Sequence, residues 1–203
     1  MCGIKNPFLP GMSADEITEI TTLIGEKTSK NLPDELIRFW EICGGSNDFL
    51  IAGPWYIMSF QQLKSSLEMI YDYKENHEKH DLKAFEESLK DETYDGDLDD
   101  MLYTPESDKL KKIGLTYDRI PFAHNWSGDY LLLDLDPVDD KNYGQIMNYF
   151  NSETRMALLN SNLAEYFALY NSEIANGNIF WREGYESIEV KEGSKAEKII
   201  WDS

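Results

Sequence analysis

The chain is poor in the residues that most enzyme chemistry needs. Only Cys2 and Cys43 occur in 203 residues, so no disulfide framework exists and a reducing cytoplasm is the expected home. Of the three histidines, His77 and His80 stand at i, i+3, whereas a helical zinc site needs i, i+4 with glutamate after the first. Bases number 19 against 38 acids, a net charge of −19. A surface that negative repels phosphate backbones and anionic lipid, which argues against nucleic-acid binding by counterion release. No apolar run approaches the ~20 residues of a membrane span, and the first thirty residues lack the charged-then-apolar order of a signal peptide. Nor is there a GxSxG elbow, a P-loop or a GxGxxG turn.

Apolar material, by contrast, is plentiful. The chain is 41% hydrophobic and carries 5 Trp, 12 Tyr and 9 Phe, far too many aromatics for a disordered polymer. A chain of this length buries roughly 70% of its unfolded surface as one domain, and a single domain over residues 1–203 is expected. Ser13-x-x-Glu16 is a capping box opening a helix with Ile17, Ile20 and Ile24 on one stripe. Pro33 suits the first position of a second helix, in which Leu36, Trp40 and Cys43 form the apolar stripe beside Phe39. Gly44-Gly45 supplies a left-handed terminator. Ser59-x-x-Gln62 caps a third helix carrying Phe60, Leu63, Leu67 and Ile70.

Residues 74–112 change character, with thirteen acids against seven bases and few apolar residues. They read as an insertion: a charged helix over residues 81–90, then an acidic loop. The run Asp95-Gly96-Asp97-Leu98-Asp99-Asp100 has the density of a calcium loop but fits neither EF-hand register. The insertion holds only six of the nineteen net negative charges, so the acidity belongs to the whole body. Beyond it, residues 120–125 and 130–134 read as strands around a turn at Trp126-Ser127-Gly128-Asp129, and residues 145–150 as an antiparallel partner. Asn162-x-x-Glu165 caps a last helix with Leu163, Tyr166, Phe167, Tyr170 and Ile174, ending near Asn176-Gly177. Helices and strands segregated in this way predict an α+β fold.

Two constellations invite chemistry. Met1-Cys2-Gly3-Ile4 is similar to the start of class II glutamine amidotransferases, but Lys5-Asn6-Pro7 follows where a buried strand would be needed, and a nucleophilic thiol wants an electropositive setting that this chain lacks. Asp129, Asp134 and Asp136 flank one strand, and convergent carboxylates suit a divalent cation or an acid/base pair. No histidine, lysine or glycine cradle accompanies them beyond the lone His124, so the expectation is acids at a strand end and turn, exposed to water. A metal-dependent hydrolase is the lesser alternative; neither a catalytic residue, a metal nor a cofactor is expected.

The order of motifs is more specific than any one of them. A capped helix precedes Leu32-Pro33-Asp34-Glu35-Leu36, Phe39 and Gly44-Gly45; then come Ile120-Pro121-Phe122-Ala123, Gly128-Asp129-Tyr130, Asp134-Leu135-Asp136-Pro137 and Gly144-Gln145-Ile146, and finally the Leu163-to-Tyr170 helix. This resembles the SUKH superfamily, in its Smi/Knr-type branch, over a core of residues 13–170 interrupted by the 74–112 insertion and followed by a C-terminal extension of residues 171–203. Ser127 stands where the family often has glycine. The resemblance implies helices packed on a mainly antiparallel twisted sheet and no shared catalytic residues. It implies one of two roles: an immunity protein that neutralises a polymorphic toxin, often a nuclease, or a regulatory scaffold in cell-wall and glucan synthesis. The acidic body favours a protein partner, a basic toxin domain, and no nucleic acid or membrane insertion. The residues expected to meet it are Trp126, Asp129, Asp136, Asp139 and Asp140, with Trp55 and Tyr56 second and Trp40 assigned to the core.

Overall fold

Ser13 accepts a hydrogen bond from the Glu16 amide through Oγ at 3.3 Å, while its own amide donates to Glu16 Oε2 at 2.7 Å. That closed box starts helix α1, Ala14–Thr28, in a computed structural model that describes residues 8–46, 55–79, 83, 104–105, 107–111, 114–151, 155–182 and 187–200. Ile20 and Ile24 are fully buried, and α1 ends on Ser29 in the left-handed region. Helix α2, Asp34–Ile42, buries Leu36 and Trp40. Pro33 sits one position earlier than expected, as the extended residue before the helix, where its missing amide is equally harmless.

The two glycines after α2 do a different job from the one expected. The helix ends on an extended Cys43, not on a left-handed glycine. A Cβ at Gly44 would stand 2.1 Å from the Pro10 carbonyl oxygen, and Gly45, at φ +125°, would press a Cβ to 2.9 Å from the Ser59 backbone. Both positions let three chain segments pass at backbone distance. Beyond them comes β1, Tyr56–Ile57, and then α3, Phe60–Asp72, with the Ser59/Gln62 capping box formed. A π-helical turn, Tyr73–His77, continues α3. The acidic 95–100 run, most of the 81–90 segment and the Cys2 terminus lie outside the described residues.

The second half builds the sheet. Strands β2 (Thr104–Pro105), β3 (Arg119–His124), β4 (Tyr130–Asp134), β5 (Gln145–Phe150) and β6 (Arg155–Asn160) join β1 in the order β1-β3-β4-β5-β6-β2. All pairings are antiparallel except β2 with β6, so the architecture is α+β on a mainly antiparallel sheet. Strand β6 falls in a stretch where no element was expected. Helix α4, Leu163–Ala175, follows with Asn162 as its cap, then a hairpin of β7 (Ile179–Arg182) and β8 (Ser187–Val190) and a short helix α5, Glu197–Ile200.

One sheet face meets the helices through aromatic rings. Phe39 of α2 packs edge-on to Phe122 of β3 at 6.3 Å and stacks on Phe167 of α4 at 5.1 Å, and Phe122 meets Tyr166 at 6.2 Å. Edge and offset contacts of this kind add to plain area burial. The Tyr166 hydroxyl donates to the Ile199 carbonyl at 3.3 Å, which ties α5 to α4. Trp40 is core, as expected, and so is Trp55, at 6.2 Å from the Phe150 ring. On α4 the stripe holds at Leu163 and Tyr166, but Ile174 is exposed and Glu173 is buried in its stead, accepting from Asn178 Nδ2 at 2.8 Å.

Strand β4 is buried on both faces, and this overturns the expectation of water-exposed acids at Asp129 and Asp134, which are 6% and 0% exposed. Register explains Asp134. It stands opposite Arg119 on β3 and Gln145 on β5, so a buried cation and a buried amide accompany the carboxylate. Residues 107–111 and 114–117 lie against that end of the sheet: Leu110 is buried, and the carbonyls of Gly114 and Lys111 accept from Arg119 at 2.6 and 3.0 Å. The Lys109 carbonyl accepts from Gln145 Nε2 at 3.2 Å.

Candidate functional site

The residues expected to meet a partner fall at the two ends of β4, a strand of five residues and so about 17 Å long at ~3.3 Å per residue. At one end is the 125–129 turn. The Asn125 side-chain oxygen accepts from the amides of Ser127 and Asp129 at 2.8 and 3.0 Å, an Asx arrangement that lets Gly128 take φ +85°. Asp129 then returns the favour: Oδ2 accepts from Asn125 Nδ2 at 2.7 Å and Oδ1 from the Asn151 amide at 2.9 Å. Both its oxygens are engaged, and the side chain builds the turn and does not present itself to a partner.

Trp126 is what this end presents. It is 71% exposed, yet its ring is held by two neighbours: Tyr56 of β1 at 5.5 Å, inclined at 62°, and His124 of β3 at 5.4 Å, nearly perpendicular at 83°. Tyr56 and His124 are register partners across the β1–β3 pair, and their rings lie 5.9 Å apart. A bulge between Pro121 and Ala123 shifts the parity of β3, which sets His124 opposite Tyr130 as well. Burial holds the His124 imidazole below its ordinary pKa, so it is neutral at pH 7. The result is an uncharged three-ring platform beside the sheet edge. Sequence reading found Trp126 and named Tyr56 second, but missed His124; only the pairing register brings these residues together.

The other end carries charge. Asp134 Oδ1 accepts from the Asp136 amide at 3.0 Å and Oδ2 from Gln145 Nε2 at 2.9 Å. Asp136 is bound by Lys111 and by Lys30, the latter at 3.5 Å, and the Lys111 hydrogen bond is the main cause that holds its carboxyl below the usual range. Asp118 goes the other way: burial first, then the Asp136 charge, push its carboxyl up. Asp139 accepts from the Lys141 amide at 3.0 Å and starts the 3₁₀ turn Asp140–Asn142, with both acids exposed. Of the five expected contact residues, then, the fold leaves Trp126, Asp139 and Asp140 outward, places Asp136 in a lysine clamp and buries Asp129.

The family model described as SMI1 / KNR4 family (SUKH-1) matches residues 11–169. The chain belongs to that family. The match takes in α1, α2, the six-stranded sheet and most of α4, so both ends of β4 lie within the SUKH-1 region, while the β7–β8 hairpin and α5 lie beyond it. No curated protein matches the chain. Among the described residues no cluster of three or more His, Cys, Asp or Glu is arranged to hold a metal ion, and no helix is long and apolar enough to cross a membrane.

Proposed function

We propose that this SUKH-1 domain is a non-catalytic binding module that neutralises a basic toxin domain, as an immunity protein does. The observation that carries the reading is Trp126: a large indole, 71% exposed, braced by two rings on a domain of net charge −19. Aromatic side chains of this kind are the usual anchors of protein interfaces. A strongly negative domain complements a cleft built for phosphate, and complementary fields speed encounter more than they deepen affinity. In this reading Trp126 and Tyr56 form the anchor, and Asp139 and Asp140 contribute to steering from the far end of β4. Asp129 supports the anchor from within, and Asp136 acts only through the field it shares with two lysines. Asp129 is committed to Asn125 and Asn151, Asp134 to Gln145 and the Asp136 amide, and Asp136 to the lysines, which speaks against a metal-dependent hydrolase at these three acids.

The test is co-expression with the toxin encoded beside this chain. Protection and co-purification of a basic protein support the reading; death of the cells with no co-purified protein rejects it. The association rate should fall at least tenfold between ~0.01 M and ~0.15 M salt, as the Debye length drops from about 30 to 8 Å. A rate that does not change with salt would mean that the charge serves solubility alone.

A further inference from the structure

His124 has an environment that binding alone does not require. Its Nδ1–H donates to the Asn125 carbonyl at 3.2 Å, which fixes the tautomer and leaves Nε2 as a bare acceptor. That Nε2 is buried and has no hydrogen-bond partner. The ring packs against both Tyr56 and Trp126, at 5.9 and 5.4 Å, and those two rings also touch each other at 5.5 Å. Neutral imidazole tolerates this, since an unpaired acceptor loses only its water. A proton on Nε2 creates a charged donor with nothing to receive it, which is far more costly in a desolvated site.

Among the described residues no charged group is free to pair with the ring. What faces it from β1 is the Tyr56 phenol; from β4, in register, the Tyr130 phenol; from the turn, Asn125 and the Trp126 indole. The one nearby carboxylate in the turn, Asp129, already spends Oδ2 on Asn125 and Oδ1 on Asn151. Burial is the dominant influence on the imidazole and opposes its charge, and only the Asn125 carbonyl acts the other way. A protonated His124 therefore has to reach water, and the rings packed on it, which such a movement disturbs, are those of Tyr56 and Trp126.

We propose that His124 is a proton-operated brace, neutral when it holds Trp126 over β1 and, once protonated, parting the three rings and loosening the 125–129 turn. The device acts on the same surface assigned above to partner binding, and it would make that surface competent at neutral pH and impaired in acid. It stands on the geometry of the free domain, however, and is tested without any partner.

The experiment is an NMR titration of the full chain from pH 8 to 5. It follows the His124 imidazole, the Trp126 indole N–H and the amides of Ser127 and Asp129, both of which donate to Asn125. The expected result is a one-proton transition of His124 below the free-histidine value of about 6.5, with the indole and both amides shifting at the same midpoint. Exchange protection of those two amides, corrected for intrinsic rate, should drop about tenfold across it, as local opening does. His124→Gln should remove all three changes. A His124 that titrates at or above the free value, with ring contacts intact, would mean that the aromatic faces welcome the cation and would overturn the proposal. So would amides equally protected on both sides of the midpoint, or shifts that persist in His124→Gln. If that variant does not fold, the wild-type titration and protection decide alone. Failure here leaves the binding assignment standing, whereas loss of partner capture at neutral pH would sink that assignment and leave the brace untouched.

Discussion

At the Tyr130 end of β4 an aspartate closes a turn with both its oxygens occupied, and what faces outward is an uncharged aromatic platform. At the Asp134 end a buried aspartate faces a buried arginine, its neighbour Asp136 is clamped by two lysines, and what faces outward is the acidic pair Asp139–Asp140. In sequence the two ends look alike, acids beside a turn. The difference lies in what each acid is paired with. Backbone and amide donors take up Asp129 and Asp134 alike, whereas Asp136 is taken up by cations, with Lys111 joining residues 107–111 to this end of the sheet. An exposed aromatic surface and a lysine-clamped acid are thus separated along one strand.

The comparison breaks most visibly at its buried member. Asp134→Ala removes the acceptor of the Gln145 amide and the Asp136 N–H and leaves Arg119, 2% exposed, without the carboxylate charge opposite it. Taking two hydrogen bonds from a buried carboxylate costs about 3 kcal/mol, and chemical denaturation should show a loss of that size. Trp126→Ala should do the reverse. Its stability should stay within ~0.5 kcal/mol of wild type, as for other surface positions, while partner affinity drops by about 2 kcal/mol, near thirtyfold in Kd by calorimetry. Asp129→Ala sharpens the distinction between the turn and what the turn carries. Two charge-assisted hydrogen bonds disappear, so stability should fall by about 1.5 kcal/mol. Affinity should weaken only as far as the Trp126 platform loses its shape. If Asp129→Ala abolished binding in a stable domain, the aspartate would be a contact after all.

Elements that announce themselves through local chemistry were legible: the two capping boxes, the Asn162 cap, and the 130–134 strand behind its Gly128 turn. So was the family, because its signal is the order of such local pieces. What escaped depends on who lies opposite. β6 pairs on both sides, and its Arg155–Asn160 run is flanked by Asn151-Ser152 and Ser161-Asn162 without the glycine and proline that bracket β4. The burial of Asp134 needs Arg119, fifteen positions earlier, and only the β3–β4 register brings the two together. The same is true of the site. An exposed tryptophan in a turn could be picked out from Trp126-Ser127-Gly128, but its support by Tyr56 and His124 joins residues from separate elements through the β1–β3 pairing and the bulge in β3.

The smallest effect belongs to the lysine clamp, and its sign with pH can be worked out. Asp136 is held below its ordinary pKa, so its contribution is present above the unfolded carboxylate value near 3.9 and is lost as pH falls through the lower folded value. Asp118 is held above its ordinary pKa, so the folded state takes up that proton before the unfolded state does. Acidification through the raised value therefore restores stability that the ionised, half-buried carboxylate had cost. The two run in opposite directions as pH is lowered, Asp118 first and Asp136 second. Both lysines are more than a third exposed, which limits what each pair is worth. Lys111→Met should therefore cost less than about 1 kcal/mol at pH 7, with the loss shrinking in high salt. It should also raise the Asp136 pKa toward that of an unpaired carboxylate, so that less stability remains to be lost at the acid end of a denaturation series. Asp118→Asn should remove the restoring limb and leave the Asp136 limb in place. A Lys111→Met loss of several kcal/mol would instead mean that the seating of residues 107–111 depends on the ion pair and not on Leu110 and the buried donors Arg119 and Gln145.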